Sequence, residues 1–261
     1  MSIAVKKYYP PEAFNPFIKE ICFYTIRGQH CLHFMPEGCV ELIFQLNGDS
    51  TQSMRKDGAF RARPPIFIGG LHNQSYFVEA CSASYQSIGI KLVPKAAKAI
   101  LGINVNALKN QIIDANDIFD IKVNELLDQL IETSKQAQQV ELIINWLEPY
   151  LARLSNDFRP LGLEMIWASQ GRIQVGELAR QNFYSSSNYR KRFRETIGLS
   201  PSEYLKLVRV RTSLAHVQNL QVPIQQIAYN LGYFDPAHFT REFKAILQCS
   251  PRAYRQAKQR N

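Results

Sequence analysis

Between residues 224 and 247 the apolar positions fall at helical spacing in two short blocks with a turn between them. Ile224, Ile227, Ala228 and Leu231 give the first block one apolar face, and Gly232 closes it where a left-handed residue is needed. Asp235 suits the cap of a second helix and Pro236 its first position, which predicts a helix from there to about Leu247. Phe239, Phe243 and Leu247 form its buried stripe, and Ala237, Thr240, Arg241 and Lys244 its outward face. The pattern occurs twice. Phe193, Ser200, Pro201 and Tyr204 lie 50 positions before Phe243, Ser250, Pro251 and Tyr254, whereas Ala179 lies 49 before Ala228, so the second copy holds one extra residue in its turn. Ser185 takes the capping place of Asp235, Tyr189 and Phe193 the buried places, and Ser187, Arg190, Lys191 and Arg194 the outward face.

Two helix-turn-helix units therefore span about 173–198 and 224–247. Between them Ser200, Pro201 and Glu203 make a capping box, which predicts a rigid helix over about 201–219. Arg209 and Arg211 on this helix either contact phosphate or lie on its solvated face.

Upstream the period changes. Ile18 to Ile26, Val40 to Leu46, Pro65 to Ile68, Tyr76 to Val78 and Tyr85 to Val93 read as strands punctuated by Gly, Pro, Asn and Asp, which predicts a mainly antiparallel sheet or partial barrel. Pro94 opens a short helix closed by Gly102. Residues 121–154 are helical by period in two pieces, and Pro149 should kink or interrupt the second. These pieces either complete the N-terminal core or pair with a second subunit. The fold class that follows has two domains: an N-terminal α+β domain over 1–155, and an all-α domain over 156–261 with a core of its own. Residues 155–160 form the expected linker.

Charge sharpens the division. Residues 156–261 hold 16 Lys and Arg against 7 Asp and Glu, so the whole net charge of +9 lies with the two motifs. That confinement favours nucleic acid over a membrane surface. Five cysteines without a C-x-x-C pair indicate neither a disulfide framework nor a zinc knuckle. No apolar run reaches the length of a membrane span. His30, His33 and His72 with Glu37 and Glu41 could be drawn as a metal cluster, but spacing of three on a strand puts His30 and His33 on opposite faces. Cys39 reads as a buried thiol rather than a reactive one. No phosphate-loop, nucleophile-elbow or H-E-x-x-H pattern is present, so no enzyme activity, metal or cofactor is expected.

Over roughly residues 165–257 the chain resembles the two-motif DNA-binding domain of AraC/XylS-type transcription regulators. The signature is carried by IA, then GY, DPAHFTREFK and SP-x-x-YR in the second copy. One departure is Gln248, standing where Gly198 stands in the first copy. Gly there should relieve about 1 kcal/mol if the left-handed cap is kept. The resemblance implies sequence-specific binding with the two recognition helices in adjacent major grooves about 34 Å apart. The residues it assigns to DNA are Ser186, Ser187, Asn188, Arg190, Lys191 and Arg194 on the first helix, and Pro236, Ala237, His238, Thr240, Arg241 and Lys244 on the second. It implies double-stranded DNA and RNA polymerase as partners in the cytoplasm, and leaves a small-molecule effector and a homodimer open. The stretches HFMPEGCVELIFQL and SIGIKLVPKAAKAILG also resemble an N-terminal sensing domain of a subset of these regulators. The competing class is an enzyme or thiol or methyl-acceptor domain fused to a DNA-binding module.

Overall fold

The computed structural model of the chain describes residues 2–28, 31–55, 58–152 and 161–259. Among them the strands are β1 (Ser2–Tyr8), β2 (Ile18–Arg27), β3 (Cys31–Phe34), β4 (Val40–Asn47), β5 (Ser50–Ser53), β6 (Arg61–Ala62), β7 (Ile66–Gly69), β8 (Tyr76–Ala80), β9 (Ser84–Leu92) and β10 (Ile112–Asp114). One sheet runs β1-β2-β9-β4-β7-β10 and the other β3-β8-β5-β6, with every pairing antiparallel. The five predicted strands are present. β1, β3, β5, β6 and β10 carried too little apolar alternation to be anticipated: β1 is an exposed edge, and STQS in β5 is held by pairing with β8.

Helices α1 (Pro94–Leu101), α2 (Lys122–Glu132) and α3 (Gln136–Ala152) lie beside the larger sheet. Val123, Leu126, Leu130, Ile143 and Leu147 join Leu42, Ile66 and Ile68 in one apolar core, so the stripes of α2 and α3 complete that core. Pro149 neither ends nor interrupts α3, which runs on to Ala152. So close to the C-terminal end its missing amide forfeits one bond, and the helix persists. No helix among the described residues is long and apolar enough to cross a membrane.

The C-terminal part is helical: α4 (Leu163–Ala168), α5 (Val175–Gln181), α6 (Ser186–Ile197), α7 (Pro201–Gln218), α8 (Ile224–Asn230), α9 (Pro236–Leu247) and α10 (Pro251–Gln259). The predicted capping box at Ser200 and Glu203 is formed in full. The expected linker, residues 155–160, lies outside those described.

The separate core expected for the C-terminal domain is not what is found. The apolar cluster of the sheet domain continues through Tyr189, Phe193, Ile197, Tyr204, Leu205 and Val208, taking in the first motif. A second cluster, from Val210 to Tyr254, holds the second motif. Polar contacts fasten the same junction. Lys109 Nζ meets Glu203 Oε1 at 2.6 Å and Asn73 Nδ2 donates to the same oxygen at 3.2 Å. The amide of Ser75 donates to the Ile246 carbonyl at 2.6 Å. Gln248 Nε2 donates to the carbonyls of Met54 and Ser75, both at 2.7 Å.

Burial would raise the Glu203 carboxyl, but Lys109 and the Ser200 amide and hydroxyl outweigh it and hold it down to about 2. A carboxyl depressed from 4.5 stabilises the fold above that pH and loses its contribution as pH falls toward 2. Lys109→Met should therefore lower the melting temperature most near neutral pH, and the deficit should shrink to nothing by about pH 2. Thermal scans across that range check it, and a pH-independent deficit would assign the loss to packing of the lysine stem.

Candidate nucleic-acid interface

Each motif builds its second helix in the same way. The Ser185 hydroxyl accepts from the Asn188 amide at 3.3 Å and caps α6, whose Tyr189, Phe193 and Ile197 are buried. Asp235 accepts from the His238 amide at 2.7 Å and caps α9, whose Phe239, Phe243 and Leu247 are buried. Burying those stripes leaves the opposite faces outward. Ser186, Ser187, Asn188, Arg190, Lys191 and Arg194 are all exposed on α6, as are Ala237, Arg241 and Lys244 on α9.

Three residues of the second set are only half-exposed. Pro236 packs at the start of α9. Thr240 donates its hydroxyl proton to the Pro236 carbonyl at 2.9 Å, which leaves it only acceptor lone pairs for a ligand. His238 packs edge-on against Tyr233 and lies 3.3 Å from the buried Glu242, which also draws Lys206 and Arg209. A carboxyl group buried in the middle of α9 thus gathers three cationic or titratable side chains from α7 and α9 themselves.

Arg209 and Arg211 fit neither alternative left by the sequence. Arg209 lies over the Tyr233 ring, 5.2 Å from its centroid, with a terminal nitrogen 3.4 Å from Glu242. Arg211 faces Glu37 of the sheet domain at 3.8 Å. Both serve the inner faces of α7.

The turns hold residues that pattern reading passed over. The amides of Tyr184 and Tyr233 bond to the carbonyls of Ala179 and Ala228, which makes the two tyrosines equivalent at a separation of 49. Ser185 and Asp235 are separated by 50, so the extra residue is Phe234, 92% exposed. Phe183 fills the place of Gly232 at φ 59 and is 96% exposed. Two solvent-facing phenyl rings thus stand just before α6 and α9. The doubled spacing was the available signal for Phe234, whereas nothing in the local pattern marks Phe183.

Among the described residues no three His, Cys, Asp or Glu converge as a metal site, and His30 lies outside those residues. His33 stacks on Phe77 and His72 tilts against Tyr76. Cys39 is half-buried, and burial pushes its thiol up to about 12.

A family model described as a helix-turn-helix domain matches residues 178–257, and one described as a domain of unknown function (DUF6597) matches residues 6–114. The putative AraC-like transcription regulator of Streptomyces antibioticus is 32% identical over 81 residues, covering 31% of this chain and 27% of that protein. The lactose operon transcription activator of Staphylococcus xylosus is 24% identical over 171 residues, 60% of this chain and 57% of that one. The chain therefore spans between about a quarter and somewhat over half the length of these relatives. The crystal structure of ToxT from Vibrio cholerae strain SCE256 with an unsaturated fatty acid bound aligns over 90% of this chain and 93% of that one, at 12% identity and a TM-score of 0.49.

Two left-handed residues in this region give stability tests of opposite sign. Gln248 does adopt φ 58, as the comparison with Gly198 predicted, but its side chain is engaged. Gln248→Gly should relieve about 1 kcal/mol of strain yet lose two hydrogen bonds at roughly 0.5–1.5 kcal/mol each, so the sequence-based gain becomes a net loss of up to about 2 kcal/mol. Phe183→Gly removes a similar strain, and because the ring is solvent-facing it gives up no packing in exchange, so it should stabilise by about 1 kcal/mol. Denaturant melts of both variants decide the pair. A destabilised Phe183→Gly would mean that the ring packs in solution.

Proposed function

We propose that this chain, whose C-terminal domain belongs to the AraC/XylS-type helix-turn-helix regulators, binds a bipartite DNA site with α6 and α9 in successive major grooves and regulates transcription from it. The observation that carries the reading is the repetition: two capped helices, each burying an aromatic stripe and turning an exposed cationic face outward, on the part of the chain that holds the entire net charge.

In this reading Ser187, Arg190, Lys191 and Arg241 reach base edges, with Ser186, Asn188, Pro236, Ala237, His238 and Thr240 around them. Arg194 and Lys244, one turn further on, meet phosphate. Residues 1–155 form a sensing or assembly domain and 156–261 the DNA-binding domain. Two readers in one chain let a monomer occupy a full site, so a second copy is not needed for binding. RNA polymerase is the partner through which such a regulator acts in the cytoplasm, and whether it activates depends on where its site lies relative to the polymerase. No catalytic step enters. The alternative of an appended enzyme or thiol-acceptor domain would show itself as a tightly held metal or a stoichiometrically modified cysteine in purified protein.

Selection from random duplex DNA with the full chain tests the class and returns the operator. On that operator Arg241→Ala should cost about 1–3 kcal/mol and broaden base preference in one half-site. Lys244→Ala should weaken all sequences alike and reduce the salt slope by about one unit. Titrations at several salt concentrations on selected and scrambled DNA separate them. Equal losses on both DNAs for Arg241→Ala would make it a phosphate anchor.

A further inference from the structure

Of the large apolar side chains open to solvent among the described residues, Phe183 at 96% and Phe234 at 92% are the most exposed, and Tyr9 follows at 74%. The two are not scattered. One stands in each of the turns that lead into α6 and α9.

The turns supply their rings in different ways. In the first, Phe183 holds the left-handed place, its amide bonded to the Arg180 carbonyl at 3.1 Å, as the Gly232 amide is bonded to the Tyr229 carbonyl at 2.9 Å in the second. A side chain at that place carries strain that glycine would relieve. In the second turn Gly232 keeps the left-handed place, and the ring comes from Phe234, which stands between Tyr233 and the cap Asp235. The first turn has no residue there, because Tyr184 is followed directly by the cap Ser185. The shorter turn therefore carries its exposed ring at the strained position. A ring so open to solvent returns almost no packing for that strain, and strain without a return inside the fold points to a contact outside it.

The rings adjoin the outward faces at their N-terminal ends. Ser186 and Ser187 open α6 and Pro236 and Ala237 open α9, all small or uncharged, and the exposed cations Lys191 and Arg241 come one turn later. In helix-turn-helix readers it is the N-terminal end of the second helix that meets the base edges. The apolar group those edges offer in the major groove is the thymine C5 methyl.

We propose that Phe183 and Phe234 are specificity-determining residues of the DNA interface, each ring packing on a thymine methyl where its recognition helix enters the groove. The inference rests on the reading of α6 and α9 as DNA-recognition helices and deepens it. The cations supply phosphate contacts and hydrogen bonds to bases, and the rings add a preference for thymine that charge does not give. No phosphate takes part, so the contact is indifferent to salt.

Full chains carrying Phe183→Ala or Phe234→Ala are compared with the wild type on the operator selected from random DNA. The same operator is also made with single thymines replaced by deoxyuridine, which lacks only the methyl group. Both variants should melt as the wild type does, since neither ring is packed in the fold. Each should bind the operator about fourfold more weakly or worse, the order set by one buried methyl, with the salt slope unchanged. One thymine should answer to each ring: its replacement costs the wild type a similar factor and costs the matching variant nothing further. Wild-type affinity in a variant, an equal loss on scrambled DNA, or losses that add fully to every deoxyuridine replacement overturns the role of that ring. If the wild type selects no operator, the DNA-binding reading fails and the rings' role with it. If it selects one and the variants bind it unchanged, only the rings' role fails, and their exposure serves a protein partner instead.

Discussion

The structure depends on α7 being buried from two sides. Tyr204, Leu205 and Val208 belong to the core that holds the sheet domain and the first motif, while Val210 and Val217 belong to the core of the second motif. Eighteen residues at a rise of about 1.5 Å span about 27 Å, so one helix crosses both cores without a break. Each motif is therefore positioned by packing on a common rod.

The sheet domain adds a second fastening, at the C-terminal ends of α6 and α9. Gly198 closes α6 so near the backbone of Val105 that a Cβ would sit 2.8 Å from its carbonyl oxygen, and Gln248 closes α9 on Met54 and Ser75. Both caps are left-handed, and they solve the same problem differently. Glycine is required where backbone approaches backbone. At the second cap there is room for a side chain, and the strain of a non-glycine residue is offset by hydrogen bonds that only a side chain can make. The substitution that looked like a lapse in the repeat is thus the contact by which the second motif is held.

Legibility in the sequence followed the range of the interactions. The caps at Ser185, Ser200 and Asp235, the turn glycine at 232 and the stripes of α6 and α9 all depend on residues within a few positions of each other, and pattern and structure agree there. The partners of Gln248 lie 173 and 194 positions away, and those of Glu203 lie 94 and 130 away. No local period carries such information, so the shared core and the polar junction were not anticipated.

Charge completes the division between holding and reading. The cations near the junction are neutralised within the chain: Lys91 by Glu20 and Glu37, Lys109 by Glu203, Arg209 by Glu242, with Arg211 facing Glu37. Arg190, Lys191, Arg194, Arg241 and Lys244 remain exposed, with no ion pair to another described residue. A solvated cation held near a polyanion releases condensed counterions on binding, whereas a cation already paired must first break its pair. Glu20, Glu37, Glu203 and Glu242 thus pair the inner cations, and the exposed cations of α6 and α9 keep no carboxylate partner among the described residues.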